Sequence, residues 1–239
     1  MPLVSLSEFV RAPATHVVSL GGQCETAYNL RRYDFSAAYP FDWWVTPLSA
    51  VITLLRNFDI DRLYDPSRLE VTTTFGTVFH RDYDLQLHHE FPRDSENCFG
   101  NGAGRVCPTF RDHLATPKQR TLYLRERLFS LNRVDHRILF ARQQVPGKGG
   151  SEGSLQKQLL KALHAGFPSA IMSLVLVNTH GAQPQEGVQL FDIPQGAPTW
   201  HGYPTAWDEA LGSLGITLDP TRSSRFDKDG ANPELHAVG

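Results

Sequence analysis

The 239-residue sequence has few cysteines, few methionines and almost no excess charge. Its three cysteines cannot all pair within one chain, and a chain of this length does not need disulfides to hold its core. A disulfide-stabilised scaffold is therefore excluded, and a reducing, cytoplasmic location is expected. The formal net charge of -2 gives no overall positive field that would attract nucleic acid, so no nucleic-acid partner is expected.

Long hydrophobic runs are also missing. The longest strongly apolar stretch, 170–177, is far shorter than the roughly 20 residues that a membrane-spanning helix requires. Residues 1–16 lack the basic region and unbroken apolar run of a signal peptide. We therefore expect neither a membrane partner nor export.

What the sequence does contain is the composition of an ordinary globular domain, with 41% hydrophobic and 20% charged residues. Short apolar runs alternate with helical patterns, which favours a mainly parallel sheet covered by helices. The predicted fold class is α/β, with a single three-layer domain over residues 1–218 and helices on both faces of the sheet. The polar segment 219–239 has little apolar material to anchor it and is expected to be mobile.

The predicted elements follow from the spacing of apolar residues and from turn signals. The strands of the parallel sheet are predicted at 17–20, 137–141, 170–177 and 188–191. Helices are predicted at 24–32, 47–55, 116–134 and 154–165. Residues 69–91 are expected to form two strands, and the glycine-rich segment 97–107 is expected to form a loop that acts as a lid.

Cys24 lies at the predicted turn from the first strand into the first helix, after Gly21-Gly22-Gln23. A helix N-terminus stabilises a thiolate and lowers the pKa of its cysteine. Glycines let the backbone turn sharply and present N–H groups to an oxyanion. The pattern predicts a nucleophile at Cys24, with Gly22 and Gln23 in the oxyanion-binding or substrate-binding turn. A plain turn with a small buried cysteine is an equally good interpretation.

Two further polar residues follow predicted parallel strands. Arg142 comes after the second strand and Asn178 after the third. The carboxyl ends of parallel strands lie at one edge of the sheet, where ligands usually bind. We therefore expect both side chains to share a cleft with Cys24, where Asn178 would donate to an oxyanion and Arg142 would bind an anionic group.

Several short segments are similar to a bacterial family of unknown function whose members are described as candidate papain-like cysteine peptidases. The similarity extends over about residues 16–211, and its segments are 19–25, 30–32, 40–43, 87–92, 139–142, 176–178 and 200–208. The resemblance implies a cysteine nucleophile at Cys24 and a histidine base at His89. It also implies that Asp42 or Asp208 is the orienting carboxylate.

The residues themselves leave several roles open. Asp42 would cap the following helix, pair with Arg142 or orient a histidine. His89 is as readily a structural histidine as a base, and Trp200 is a candidate pocket wall although tryptophans more often pack in cores. Neither a dinucleotide fingerprint nor a set of metal ligands is recognisable, so no cofactor and no metal are expected.

Two functions are consistent with these features. The first is a cysteine-dependent hydrolase or acyltransferase for a small-molecule or peptide substrate, in which Cys24 attacks and His89 moves protons. The alternative is a noncatalytic module that binds a sugar or nucleotide-sugar through Arg142 and stacking tryptophans. An ordinary thiol pKa at Cys24 would favour the second function.

Overall fold

The computed structural model describes residues 3–32, 37–72, 76–87, 89–98, 104–145, 152–197 and 199–217. The predicted mobile segment, 219–239, lies outside the described residues. Part of the predicted lid loop, 99–103, also lies outside them.

The described residues form nine strands, seven α-helices and three short 3-10 helices. The strands are β1 (His16–Ser19), β2 (Leu69–Val71), β3 (Val78–His80), β4 (Leu85–Leu87), β5 (Arg93–Cys98), β6 (Gly104–Val106), β7 (Arg137–Gln143), β8 (Ile171–Val177) and β9 (Val188–Phe191). The helices are α1 (Leu6–Phe9), α2 (Cys24–Arg31), α3 (Leu48–Arg56), α4 (Ile60–Leu63), α5 (Ala115–Phe129), α6 (Gln156–Gly166) and α7 (Pro204–Ser213). Short 3-10 helices lie at Pro66–Arg68, Phe110–His113 and Glu152–Leu155.

The central sheet has four parallel strands in the order β1-β7-β8-β9. Its middle strands, β7 and β8, are buried from their second residue onward, which explains why their sequences are nearly continuous apolar runs. The four strands predicted from those runs are confirmed.

Helices cover both faces of this sheet, as predicted. Along β7, Ile138 and Phe140 pack on one side with residues of α3 and α6. Leu139 and Ala141 pack on the other side with residues of α2 and α7. Successive strand residues point to opposite faces, so each buried strand contributes to two hydrophobic cores. The α/β fold class is confirmed.

Helix α5 ends at Phe129 rather than near residue 134, and helices α1, α4 and α7 were not predicted. The strands differ from the sequence prediction in two regions. The segment 69–91 contains the three short antiparallel strands β2, β3 and β4 rather than two strands. Strands of three residues are too short to show a clear alternation of apolar and polar residues, so the sequence did not separate the three strands. Part of the predicted lid loop pairs instead as the β5-β6 ribbon.

Helix α7 begins at Pro204 and buries Trp207 and Leu211 against the second face of the sheet. Proline is well suited to the first turn of a helix because the backbone nitrogens there donate no intrahelical hydrogen bond. Within the part of the chain that the structure describes, no helix is both long enough and apolar enough to span a bilayer.

Candidate functional site

The turn before Cys24 requires glycine for reasons of space and backbone conformation. Gly21 and Gly22 both have positive φ, at 71° and 103°. A Cβ on Gly22 would overlap the carbonyl of Gln143, at the end of β7. The Gly22 carbonyl also accepts a hydrogen bond from the backbone N–H of Thr46 at 3.2 Å. The turn is therefore held between β7 and the loop that precedes α3, and it fixes the start of α2.

Cys24 is the first residue of α2, as the sequence predicts, and Gln23 precedes it with an extended backbone. Its thiol is not activated in the way the sequence predicts. Burial raises the pKa of Cys24 to about 11, and the Asp42 carboxylate adds to the rise, whereas the backbone N–H of Cys24 lowers it. The predicted lowering is wrong because loss of solvent outweighs the N-terminus of a helix of only eight residues.

Asp42 is one of the most buried acidic groups near this turn, with an exposed fraction of 2%. Its carboxylate accepts from the Arg31 guanidinium at 2.9 Å and from the Tyr39 backbone N–H at 3.0 Å. Burial nevertheless raises the pKa of Asp42 to about 6, against the opposing charges of Arg31 and Arg127. The suggested pairing with Arg142 is wrong, because the cation that meets Asp42 comes from α2.

His89 lies on the chain that leads from β4 to β5, and part of it is exposed to solvent. Its ring packs edge-to-face against Trp43, with centroids 5.7 Å apart. Desolvation and the nearby charges of Arg93 and Arg120 lower the pKa of His89. The imidazole is therefore neutral at pH 7. The loop containing Asp42 and Trp43 thus lies beside both predicted catalytic residues, while direct contact between Cys24 and His89 stays a prediction.

Glu90 anchors the segment that carries His89. Its carboxylate accepts from Trp44 Nε1 at 2.8 Å and pairs with Arg120 at 2.7 Å. Tyr64 also donates to it at 3.3 Å. These contacts fix the backbone next to His89 against the buried side of the Trp43-Trp44 loop.

Arg142 lies at the carboxyl end of β7, as predicted, but its guanidinium is completely buried. One nitrogen donates to the Leu20 carbonyl at 3.1 Å, and another binds both carboxylate oxygens of Glu152, at 2.8 and 3.1 Å. Glu152 also accepts from the backbone N–H of Leu48, at the start of α3. Arg142 therefore joins β1, α3 and the segment before α6, and its charge is already matched by Glu152 rather than open to a ligand.

Asn178 follows β8 at the same edge of the sheet, in a left-handed conformation with φ of 51°. Its backbone N–H donates to the Phe191 carbonyl, and its Oδ1 accepts from the Ile193 backbone N–H, each at 2.8 Å. Its Nδ2 is buried and has no hydrogen-bond partner among the described residues. Asn178 thus shapes the chain after β9 and retains one donor at the edge where Cys24 lies.

Glu25 is the important residue that the sequence reasoning missed. It is 8% exposed, and its carboxylate accepts from Trp207 Nε1 at 2.7 Å and from Gln143 Nε2 at 3.1 Å. A Cβ on Gly202 would overlap this carboxylate. The only signal in the sequence is a charged residue beside Cys24, and its partners lie more than one hundred residues away along the chain.

The last two predicted residues lie in the segment that packs on α2. Trp200 is 56% exposed and contacts the ring of Tyr28. Asp208, on α7, pairs with Arg32 at 3.0 Å. Among the residues that the structure describes, no group of three or more histidine, cysteine or acidic side chains is arranged to hold a metal ion.

Comparison with known proteins places this turn within a recognised family. The model of the family described as "Putative papain-like cysteine peptidase (DUF1796)" matches residues 15–181. No match was found among curated proteins or among solved structures. The matched span includes Cys24, Asp42 and His89, whereas Trp200 and α7 lie beyond it. Because the match covers well over half of the sequence, the chain belongs to the family that carries this description.

Proposed function

We propose that the protein is a cysteine-dependent hydrolase or acyltransferase with Cys24 as its nucleophile. The observation that carries the proposal is the position of Cys24 at the first residue of α2, directly after a glycine turn at the carboxyl edge of a parallel sheet. Backbone N–H groups at such a turn are available to an oxyanion. The family description supports the same class of chemistry.

The ionisation of the two residues defines how such a reaction would begin. Cys24 is a protonated thiol at neutral pH because its pKa is about 11, and His89 is a neutral imidazole because its pKa is lowered. These pKa shifts favour a neutral thiol and a neutral imidazole over a resting thiolate-imidazolium pair. His89 would therefore act as a general base during attack, with the bound substrate drawing the two side chains together.

The proposed steps are as follows. His89 takes the proton from Cys24 Sγ while the sulfur bonds to the acyl carbon, and the carbonyl electrons move onto the oxygen. Backbone N–H groups of Gly22, Gln23 and Cys24, with Asn178 Nδ2, would stabilise that oxyanion. The bond to the leaving group then breaks, and the imidazolium protonates it. Water or an acceptor nucleophile cleaves the thioester and restores the thiol.

Asp42 and Arg142 have supporting roles in this proposal. Asp42 holds Arg31 and the backbone of Tyr39, so it would position the Trp43 loop beside the thiol and the imidazole. Arg142 would fix the carboxyl end of β1 through the Leu20 carbonyl. Asp208 would help to hold α7 against the end of α2 through Arg32.

The raised thiol pKa favours a second candidate function. A protonated Cys24, together with an exposed Trp200 that packs on Tyr28 of the same helix, is also what a noncatalytic binding module would present. Such a module would recognise its ligand by stacking, since the Arg142 guanidinium is occupied by Glu152. The two functions differ in whether Cys24 forms an acyl intermediate.

The decisive experiment combines turnover with mass spectrometry of the whole protein. A panel of nitrophenyl esters, acyl thioesters and fluorogenic peptides is tested with wild-type protein and with Cys24→Ala, His89→Ala and Cys107→Ala. Cys107 is a partly buried free thiol and serves as the matched control. We expect Cys24→Ala to abolish turnover and the acyl adduct, His89→Ala to slow turnover by about 10²- to 10⁴-fold, and Cys107→Ala to have no effect.

Full activity in Cys24→Ala would refute the cysteine mechanism. If Cys24→Ala is inactive and His89→Ala keeps full activity, Cys24 remains the proposed nucleophile and His89 is rejected as the base. His201, whose backbone carbonyl is held by Asn29 of α2, would then be the next variant to test.

A further inference from the structure

Trp200 remains largely exposed although it is surrounded by other rings. It keeps 56% of its surface open to solvent. Its ring centroid lies 5.2 Å from that of Tyr28 and 6.5 Å from that of Trp43, both in edge-to-face geometry. His201 lies 4.0 Å from Trp200 and stacks on Tyr28 at 4.2 Å. These four residues are called the aromatic wall below.

The segment that carries Trp200 is fixed to α2 by polar contacts on both sides. Asn29 Nδ2 donates to the His201 carbonyl at 3.0 Å, and Arg32 donates to the Pro204 carbonyl at 3.2 Å. Between them, Gly202 packs directly on the buried Glu25 carboxylate. Trp200 is therefore exposed although the segment that carries it is fixed to α2, and its ring has a defined position.

The aromatic wall begins beside the thiol. Tyr28 is one helical turn after Cys24, so the two residues lie on the same face of α2. The Arg31 guanidinium lies 4.6 Å from the centroid of Trp43, and the same ring packs edge-to-face with His89. The wall thus extends from the predicted nucleophile toward the predicted base.

The charges that border the wall are already paired. Arg31 binds Asp42 at 2.9 Å, and Arg32 binds Asp208 at 3.0 Å. A ligand group that enters between these rings would contact aromatic faces and edges, because the two arginines are already paired with carboxylates. Rings in such a setting prefer edge-to-face or offset contacts with another ring.

We propose that the aromatic wall is a substrate subsite that receives an aromatic ring attached to the acyl group positioned at Cys24. The proposal rests on the proposed function, because it makes the ring part of the substrate of that site. Trp200 is the specificity-determining residue, since it offers the largest open ring surface. The neighbouring rings of Tyr28 and Trp43 set its orientation.

The test uses two thiol-reactive probes that differ only in their ring. N-benzyl-2-chloroacetamide and N-(cyclohexylmethyl)-2-chloroacetamide are allowed to alkylate the full chain at about pH 9, where more of the thiol is ionised. Labelling of Cys24 is followed by peptide mapping, and each rate is divided by the rate for the urea-unfolded chain. We expect the benzyl probe to be preferred by roughly two- to ten-fold, the range given by the strength of an aromatic pair.

The variants then assign the preference to Trp200. Trp200→Ala should remove the preference, and Trp200→Phe should retain most of it because a ring is kept. Val134→Ala, at an exposed apolar residue before β7, should leave it unchanged. Equal rates for both probes in wild-type protein, or a preference that persists in Trp200→Ala, would overturn the proposal. Equal slowing of both probes in Trp200→Ala would also overturn it, because the ring would then affect only access to the thiol.

These outcomes are separate from those of the turnover experiment. Alkylation requires only a reachable thiol and no catalysis. A preference that depends on Trp200 in a protein without Cys24-dependent turnover would keep the subsite and reject the reaction. Cys24-dependent turnover without any such preference would keep the reaction and reject the subsite.

Discussion

The reactivity of the Cys24 thiol should fall when the protein folds, contrary to what its position at a helix start predicts. Burial raises the pKa of Cys24 from 9.0 to about 11, so at a given pH below 9 the folded protein holds about 100-fold less thiolate. A thiolate of higher pKa is intrinsically more nucleophilic, with a Brønsted coefficient of about 0.4–0.5, which recovers about six- to ten-fold. The net expectation is a rate about 10- to 16-fold below that of the unfolded chain.

The assay is thiol-disulfide exchange with 4,4′-dithiodipyridine, read by absorbance and assigned to Cys24 by peptide mapping. Rates are measured from about pH 7 to about pH 11 for the native protein and for the urea-unfolded chain, using the Cys107→Ala variant to simplify the signal. The native rate should still be rising above pH 10, because the thiol titrates near pH 11. A native rate equal to the unfolded rate, or one that levels off below about pH 9, would refute the argument from burial.

Three further predictions concern the scaffold of the site. Gly202→Ala should lower the free energy of unfolding by about 1–3 kcal/mol, because φ is 72° and the new Cβ overlaps Glu25. Gly196 has a similar φ of 77°, but a Cβ there would meet open space, so Gly196→Ala should lower the free energy of unfolding by less. Equal decreases for the two variants in urea denaturation would show that the overlap with Glu25 is not the cause. Asp42→Asn should remove the part of the pH dependence of protein stability that comes from this carboxyl group. The folded pKa of Asp42, about 6, exceeds its ordinary 3.8, so its protonation stabilises the native state below about pH 4 and this contribution is lost as pH rises through 6. A difference in urea midpoint between wild type and Asp42→Asn that stays constant from pH 4 to 7 would contradict this prediction. Glu152→Ala should cost about 3–5 kcal/mol because it leaves Arg142 buried without its counter-ion, whereas Arg133→Ala, in an exposed pair with Asp135, should cost less than about 1 kcal/mol. A thermal or urea titration in which the two losses are equal would exclude the buried pair as a structural link.

Local sequence patterns were sufficient for the central sheet and for the position of Cys24. Val17, Ile138 and Leu174 belong to apolar runs whose length and flanking glycine or polar residues identify buried strands. The Gly21-Gly22 pair marks the turn because its backbone conformation is one that other residues rarely adopt. The short strands β2, β3 and β4 were not separable, because three residues carry too little periodicity.

The ionisation of the site was decided only by the tertiary structure. The sequence placed Cys24 at a helix start, which by itself lowers a thiol pKa, but the pKa depends on how much solvent the surrounding chain removes. The same holds for Asp42, whose partner is Arg31 rather than Arg142. A local pattern records which groups are charged and does not record which of them meet after folding.

The sequence by itself thus determined the α/β class, the parallel strands and the turn that carries Cys24, because these depend on residues close together in the chain. The tertiary structure decided that Arg142 binds Glu152, that Glu25 holds Trp207, and that Trp200 remains exposed beside Tyr28. The contacts of Glu25 with Trp207 and of Trp200 with Tyr28 join residues more than one hundred and fifty positions apart, and Arg142 is buried by elements from both halves of the chain. Burial and pairing over such separations are properties of the packed chain, and no local spacing of residue types encodes them.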